Sequence, residues 1–235
     1  MSSAAKRILL MTAHPDDADI MAGGTVARWI DEGHEVHSVV FTRGDKGHDD
    51  RGMTPERVAS MREAEQRAAA AILGIQGLTF LDFKDGELPW EGPALAEAAT
   101  RLVRQHRPDT IVTHDPYAGA PSYGVPQLHP DHRAVGAAVV DACYFRAPGP
   151  LYYVAHASAG LDPHRVRELL LIMGEHRDYA VDISSTFALK VEAVRAHASQ
   201  FGKHPDVEGL LRGLGQRAGA ASGVALAEAF KRLTP

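Results

Sequence analysis

The chain is 235 residues long, 45% apolar and 23% charged, with 25 basic and 30 acidic residues and a net charge of −5. This fits one folded domain over residues 1–235 and excludes a disordered chain, while the absence of a Lys/Arg stripe leaves no electrostatic footprint for nucleic acid. No apolar run reaches the ~18 residues of a membrane span, the start is too polar for a signal peptide, so a cytoplasmic placement is expected, and the one cysteine, Cys143, excludes an internal disulfide or a Cys-rich zinc module.

Residues 8–13 form a short apolar run closed by Pro15 and read as a buried strand. Residues 21–33 read as a helix with Gly33 at its end, and 35–42, rich in β-branched residues, as a second strand. Residues 43–52 are a polar loop with six charges. Thr54 and Pro55 open a helix to about Leu73. A strand over 78–83, a helix over 93–106 halted before Pro108, and a strand over 110–113 follow. Residues 115–128 are a loop with three prolines, and 130–145 a helix. The pattern then predicts strands over 151–155, 169–173 and 179–183, a helix over 184–200 and a terminal helix over 224–233. Alternating strands and helices imply an α/β fold, a mainly parallel sheet covered on both faces. Ligands in such folds bind beyond the carboxyl ends of the strands.

Two segments at those ends carry His and carboxylate together: His14-Pro15-Asp16-Asp17 after the first strand, and His129-Pro130-Asp131-His132 after the fourth. Two imidazoles and one carboxylate are the ligand set of a catalytic zinc with an open position. His14 and Asp17 can point the same way from one turn, and His132 can supply the third bond. Asp16 and His129 are then left as proton carriers, with Asp131 placed to hold His129 as a cation. Taken singly, His14 reads as a capping residue and Asp16 or Asp17 as an ordinary N-cap; it is their joint occurrence with the second segment that points to a site. The same ligands describe an iron oxygenase triad, and Fe2+ or Co2+ suits them as Zn2+ does.

On these residues the chain resembles the LmbE/PIG-L family of metal-dependent de-N-acetylases. The first signature is followed by Gly23-Gly24-Thr25; weaker similarities are Thr42-Arg43-Gly44-Asp45-Lys46-Gly47, Arg62-Glu63-Ala64-Glu65, Leu73-Gly74, Asp85-Gly86-Glu87-Leu88 and Ala196-His197-Ala198-Ser199-Gln200. The resemblance implies a Rossmann-like sheet with His14, Asp17 and His132 on zinc and Asp16 as general base. It makes His129 the oxyanion stabiliser or general acid oriented by Asp131, and turns Arg62 toward a small N-acetylated sugar. A solvated Arg62 paired with Glu63 or Glu65 is the plain alternative. The chain departs from the family at Ala18, where an acid is frequent and Asp19 follows, and at Gln127, where some members carry a tyrosine that Tyr117 or Tyr123 could replace.

The expected activity is removal of acetate from an N-acetylglucosamine conjugate. Deacylation of another small amide, such as an antibiotic intermediate, and a non-catalytic carbohydrate-binding metal module are the alternatives. Loop 43–52, with His48 and Asp49, reads as a lip over the site or as a solvated loop, and the 197–200 segment as a contributor to the site or as a helix-end cap. Tyr152, Tyr153 and the terminal helix leave room for a homo-oligomer interface. His34, His37, His106, His156, His164, His176 and His204 have no identifiable partners in the sequence.

Overall fold

Strand β1 (Arg7–Thr12) is buried along both faces, as a central parallel strand must be. Its side chains alternate between two cores. Ile8 and Leu10 pack with Val26, Leu73, Val191 and Leu211, whereas Leu9 and Met11 pack with Leu95, Val103, Val135 and Val139. In the computed structural model, which describes residues 4–117 and 129–235, the order of elements after β1 is α1 (Asp17–Asp31), β2 (Glu35–Thr42), α2 (Pro55–Leu73), β3 (Gly77–Phe83), α3 (Gly92–His106), β4 (Thr110–His114), α4 (Pro130–Asp141), α5 (Ala155–Ser158), β5 (Glu168–Ile172), β6 (Tyr179–Asp182), α6 (Phe187–Ala196), α7 (Ala198–Phe201), α8 (Val207–Ala220) and β7 (Ala227–Leu233).

The strands form a seven-stranded sheet in the order β3-β2-β1-β4-β5-β7-β6. The first five run parallel, and β7 lies antiparallel between β5 and β6. The chain winds outward from β1 to β3 and then returns to place β4 on the other side of β1. That reversal opens a crevice at the carboxyl ends of β1 and β4, where a doubly wound sheet binds ligands. The α/β, mainly parallel architecture matches the expectation, and no helix among the described residues is long and apolar enough to cross a membrane.

Three expected elements are corrected. Residues 227–233 are strand β7, not a helix. Its period of two is disguised by Glu228, an acid at an inward position, only 4% exposed. Glu228 is tolerated there because it accepts the Gly24 and Thr25 N–H groups at 3.1 and 2.7 Å and pairs with Lys190 at 2.5 Å. Residues 151–154 form a turn leading into α5, with Tyr153 at φ 50° and Leu151 and Val154 exposed, so the apolar run there finds no sheet partner. The helix over 184–200 is broken at His197 into α6 and α7. Helix α8 escapes sequence reading because four of its residues are glycines, poor helix formers; two of them, Gly215 and Gly219, let it lie against residues 224–227 at the start of β7.

Gly24 marks the tightest seam between α1 and the sheet edge: a Cβ there would lie 2.8 Å from the Cβ of Ile183. Alanine gains up to ~1 kcal/mol of helix propensity, but relieving the clash with a buried β-branched side chain costs about 1–3 kcal/mol. Gly24→Ala should therefore lower the urea midpoint of unfolding; a raised midpoint would contradict this packing.

Candidate active site

Beyond β1 the chain turns sharply. Asp16 adopts φ 87°, a left-handed conformation rare for a non-glycine residue, and α1 starts at Asp17. Beyond β4, α4 begins at Pro130 behind His129. The crevice brings these two starts together, with the loop after β3 beside them.

His14 Nδ1 lies 3.1 Å from His132 Nε2 and 3.6 Å from Asp17 Oδ2, and His132 Nε2 lies 3.1 Å from Asp17 Oδ1. A tetrahedral zinc with ligand bonds near 2.0–2.1 Å holds its ligand atoms roughly 3.3–3.4 Å apart, so the spacing fits. Overlapping groups with ligating atoms within 4.8 Å also include His129, His114, Asp85 and Asp131. Hydrogen bonding discriminates among them. His14 Nε2 faces Asp85 Oδ1 at 3.1 Å and Asp131 Oδ2 at 3.3 Å. Those carboxylates also accept backbone N–H groups, Asp85 from Lys46 and Asp131 from Gly86 and Leu88. Nε2 of His14 therefore carries its hydrogen, which leaves the Nδ1 lone pair for a cation, the carboxylate–histidine–metal arrangement. His114 Nε2 accepts the Ala13 N–H at 3.0 Å, so its lone pair is committed. The donors that keep a free lone pair are His14 Nδ1, His132 Nε2 and Asp17 Oδ1, the other Asp17 oxygen accepting the His14 backbone N–H at 2.8 Å.

Charge follows the same geometry. Burial opposes protonation of His14, but Asp131, Asp17 and Asp85 outweigh it and raise its pKa well above 6.5. Burial likewise opposes ionisation of Asp17, but the His132 imidazole, 3.1 Å away, holds its pKa well below the usual carboxylate range. Asp85 is held at about 2 against burial, chiefly by His14. Asp16 goes the other way: burial, then Asp17, push it up to about 7 against the pull of Arg62. A cation beside Asp17 would draw it back down.

Asp131 does not orient His129 as expected. Its carboxylate points inward, 0% exposed, and is spent on His14 and the loop after β3. His129 instead accepts the Asp131 backbone N–H at Nδ1, 3.3 Å away. Burial, then the neighbouring His14, lowers its pKa. A neutral ring with Nδ1 as acceptor carries its hydrogen on Nε2. His129 packs edge-on to His14 with centroids 4.7 Å apart and is exposed.

Arg62 is not a solvated helix charge. It is 4% exposed and donates to Gly44 O at 3.1 Å, Pro15 O at 2.8 Å and Asp16 Oδ2 at 3.2 Å. A Cβ on Gly44 or Gly47 would lie 2.3 Å from its Nη1, which explains the spaced glycines of residues 42–47. Glu63 pairs with Arg43 at 2.7 Å, and Glu65 accepts from Ser199. His48 and Asp49 line a cleft of about 570 Å³ with Ser199, Gln200 and Lys203. Tyr117 is 78% exposed; Tyr123 and Gln127 lie outside the described residues.

Sequence reading missed His114. It ends β4, is fully buried, stacks on His132 with centroids 4.1 Å apart, and has its pKa lowered to about 4 by burial. Its signal was position: the last residue of the strand across the crevice from β1.

The PIG-L family model, GlcNAc-PI de-N-acetylase, matches residues 9–143, and the chain belongs to that family. It is 35% identical to the diacetylchitobiose deacetylase of Thermococcus kodakarensis over 83% of this chain and 70% of that one. It is 30% identical to the 1D-myo-inositol 2-acetamido-2-deoxy-alpha-D-glucopyranoside deacetylase of Mycobacteroides abscessus, over 83% and 81%. The fold matches the N,N'-diacetylchitobiose deacetylase of Pyrococcus horikoshii with a TM-score of 0.88 at 30% identity, covering 98% of this chain and 85% of that one. The family expected from the two signatures is thus the family found, and the chain is a de-N-acetylase by membership.

Because Asp85 and Asp131 share the His14 Nε2–H, Asp85→Asn should weaken divalent metal binding by about 10-fold, the low end for loss of such a partner. Competition with a chelator at fixed pH measures it; unchanged affinity would place the metal away from His14.

Proposed function

We propose that the chain is a Zn2+-dependent hydrolase that removes the acetyl group of an N-acetylglucosamine conjugate, releasing acetate and a free amine. The observation that carries this reading is the convergence of His14 Nδ1, His132 Nε2 and Asp17 within 3.1–3.6 Å, beside a buried carboxylate, Asp16, that is not among the three donors. A structural zinc normally has four protein ligands; three plus a spare acid suit catalysis. The same donors accept Fe2+ and Co2+.

His14, Asp17 and His132 would hold the divalent cation, which would supply Lewis acidity for the amide carbonyl and for the attacking water, whose pKa such a site brings to about 7. The protein supplies the rest. Asp16 has one oxygen anchored on Arg62, and the other accepts no hydrogen bond among the described residues. That free oxygen takes the proton of the attacking water, and the same proton then goes to the leaving nitrogen as the C–N bond breaks, so hydroxide ends on the acyl carbon and hydrogen on the amine. His129, through Nε2–H, donates a hydrogen bond to the oxygen that becomes negative in the tetrahedral transition state. Asp131 and Asp85 act on His14 and keep its Nδ1 turned inward. Arg62 acts through Asp16 rather than on the sugar.

Support for the sugar comes from the relatives, named for diacetylchitobiose and for a GlcNAc-inositol. The test is acetate release from N,N'-diacetylchitobiose and from 2-acetamido-2-deoxyglucosyl inositol, before and after chelation and return of Zn2+. Turnover that is lost on chelation and restored by Zn2+ is expected. Asp16→Asn should keep its metal and lose about 10²–10⁴-fold in kcat, the span of general acid–base catalysis. Metal-replete protein with no turnover on either sugar, or an Asp16→Asn enzyme of normal kcat, would contradict the proposal.

A further inference from the structure

We infer that Gln66, Asp19 and His197 are positioning residues for Asp16, joined in a buried chain of hydrogen bonds that fixes the Pro15–Asp16 peptide in the orientation its left-handed φ requires. The inference rests on the reading of Asp16 as proton acceptor and extends it to residues on α1, on α2 and at the break between α6 and α7.

The Pro15–Asp16 peptide is held at both of its polar atoms. Its carbonyl accepts from Arg62 Nη2 at 2.8 Å, and its N–H donates to Gln66 Oε1 at 2.8 Å. Arg62 and Gln66 are one turn apart on α2 and grip opposite ends of one rigid plane. An amide side chain can be turned either way, and only one way serves here. Because the backbone N–H can only donate, Gln66 must present its oxygen to Asp16, and its NH2 must then find an acceptor. Asp19 Oδ2 is that acceptor, at 2.8 Å, and a carboxylate has nothing to donate, so it excludes the flipped amide. His197 Nε2 meets the same oxygen at 2.8 Å and holds the carboxylate in place.

Every link is dry: Gln66 is 2%, Asp19 1% and His197 0% exposed. Polar groups are buried at a cost, and these three neither ligate nor face the opening. The break between α6 and α7 serves the same purpose. At His197 the helix is interrupted with ψ 61°, which turns the ring to Asp19 while the next turn sends Ser199 to Glu65 on α2 and Gln200 to Gly47 O at 2.9 Å. The Ala196-His197-Ala198-Ser199-Gln200 similarity thus becomes a clamp on the stretch of α2 that carries Gln66, and Asp19 supplies the carboxylate at the position after Ala18.

The experiment pairs Gln66→Met, which keeps the length of the side chain and removes both polar atoms, with the Asp16→Asn background. In the wild-type background kcat should fall 10- to 100-fold, the usual cost of such supporting hydrogen bonds, with KM and bound metal unchanged. In the Asp16→Asn background the same substitution should cost less than about 3-fold, because its effect passes through the missing carboxylate. Amide hydrogen exchange gives a readout free of catalysis: protection at Asp16 should drop selectively in Gln66→Met. If Gln66→Met does not fold, His197→Leu carries the same test with a loss of about 10-fold, and His197→Gln, which keeps an N–H donor, should restore most of it. Unchanged kcat and Asp16 protection, or an equal loss in both backgrounds, would overturn the inference. A normal kcat in Asp16→Asn alone would instead sink the reading of Asp16, and the exchange data would still judge the clamp.

Discussion

Four carboxylates, those of Asp16, Asp17, Asp85 and Asp131, are all buried around His14, and Arg62 is the guanidinium that meets one of them. Two like charges 4 Å apart repel by about 4 kcal/mol at an effective dielectric of 20, so such a cluster is tolerable only if something positive sits within it. In the bare protein His14 takes that part: Asp131, Asp17 and Asp85 raise its pKa and, in turn, it lowers those of Asp85 and Asp131. A divalent cation held by the same ring would satisfy the cluster more fully. This demand for positive charge is the constraint from which the rest of the site follows.

The sheet topology makes the demand possible, and the carboxylates repay it by tying loops together. Asp131 on α4 accepts two N–H groups from the loop after β3, and Asp85 in that loop accepts the Lys46 N–H from the loop after β2. Arg62 then joins that second loop to the turn after β1. Each acid fixes a neighbouring turn and tunes His14 at once. Local rules are broken where this matters most, as at Asp16, a non-glycine residue at φ 87°.

What the sequence made legible was whatever is contiguous. His14, Asp16 and Asp17 share one turn, as do His129, Asp131 and His132, and their proline-fixed spacing carried the chemistry without coordinates. The winding of the sheet followed from alternating strands and helices. Lone residues were not legible: His114 went unmarked, and Asp85, marked only as part of a weak similarity, acquires its role only when the loop after β3 is set against β1. The direction of the Asp131 carboxylate was equally hidden, since two positions of separation in sequence suggested His129, while the start of α4 turns it inward to His14. At the far end, Glu228 disguised a strand and the glycines of α8 disguised a helix, because in both cases a tertiary contact reversed the local preference.

The most direct measurement is X-ray absorption spectroscopy of the protein loaded with one equivalent of Zn2+, read together with that of His132→Ala. The account predicts two imidazole nitrogens and one carboxylate among the protein ligands, with a fourth position filled from solvent, and loss of one imidazole in the variant. A zinc enclosed by four protein side chains, or a spectrum unmoved by His132→Ala, would contradict it.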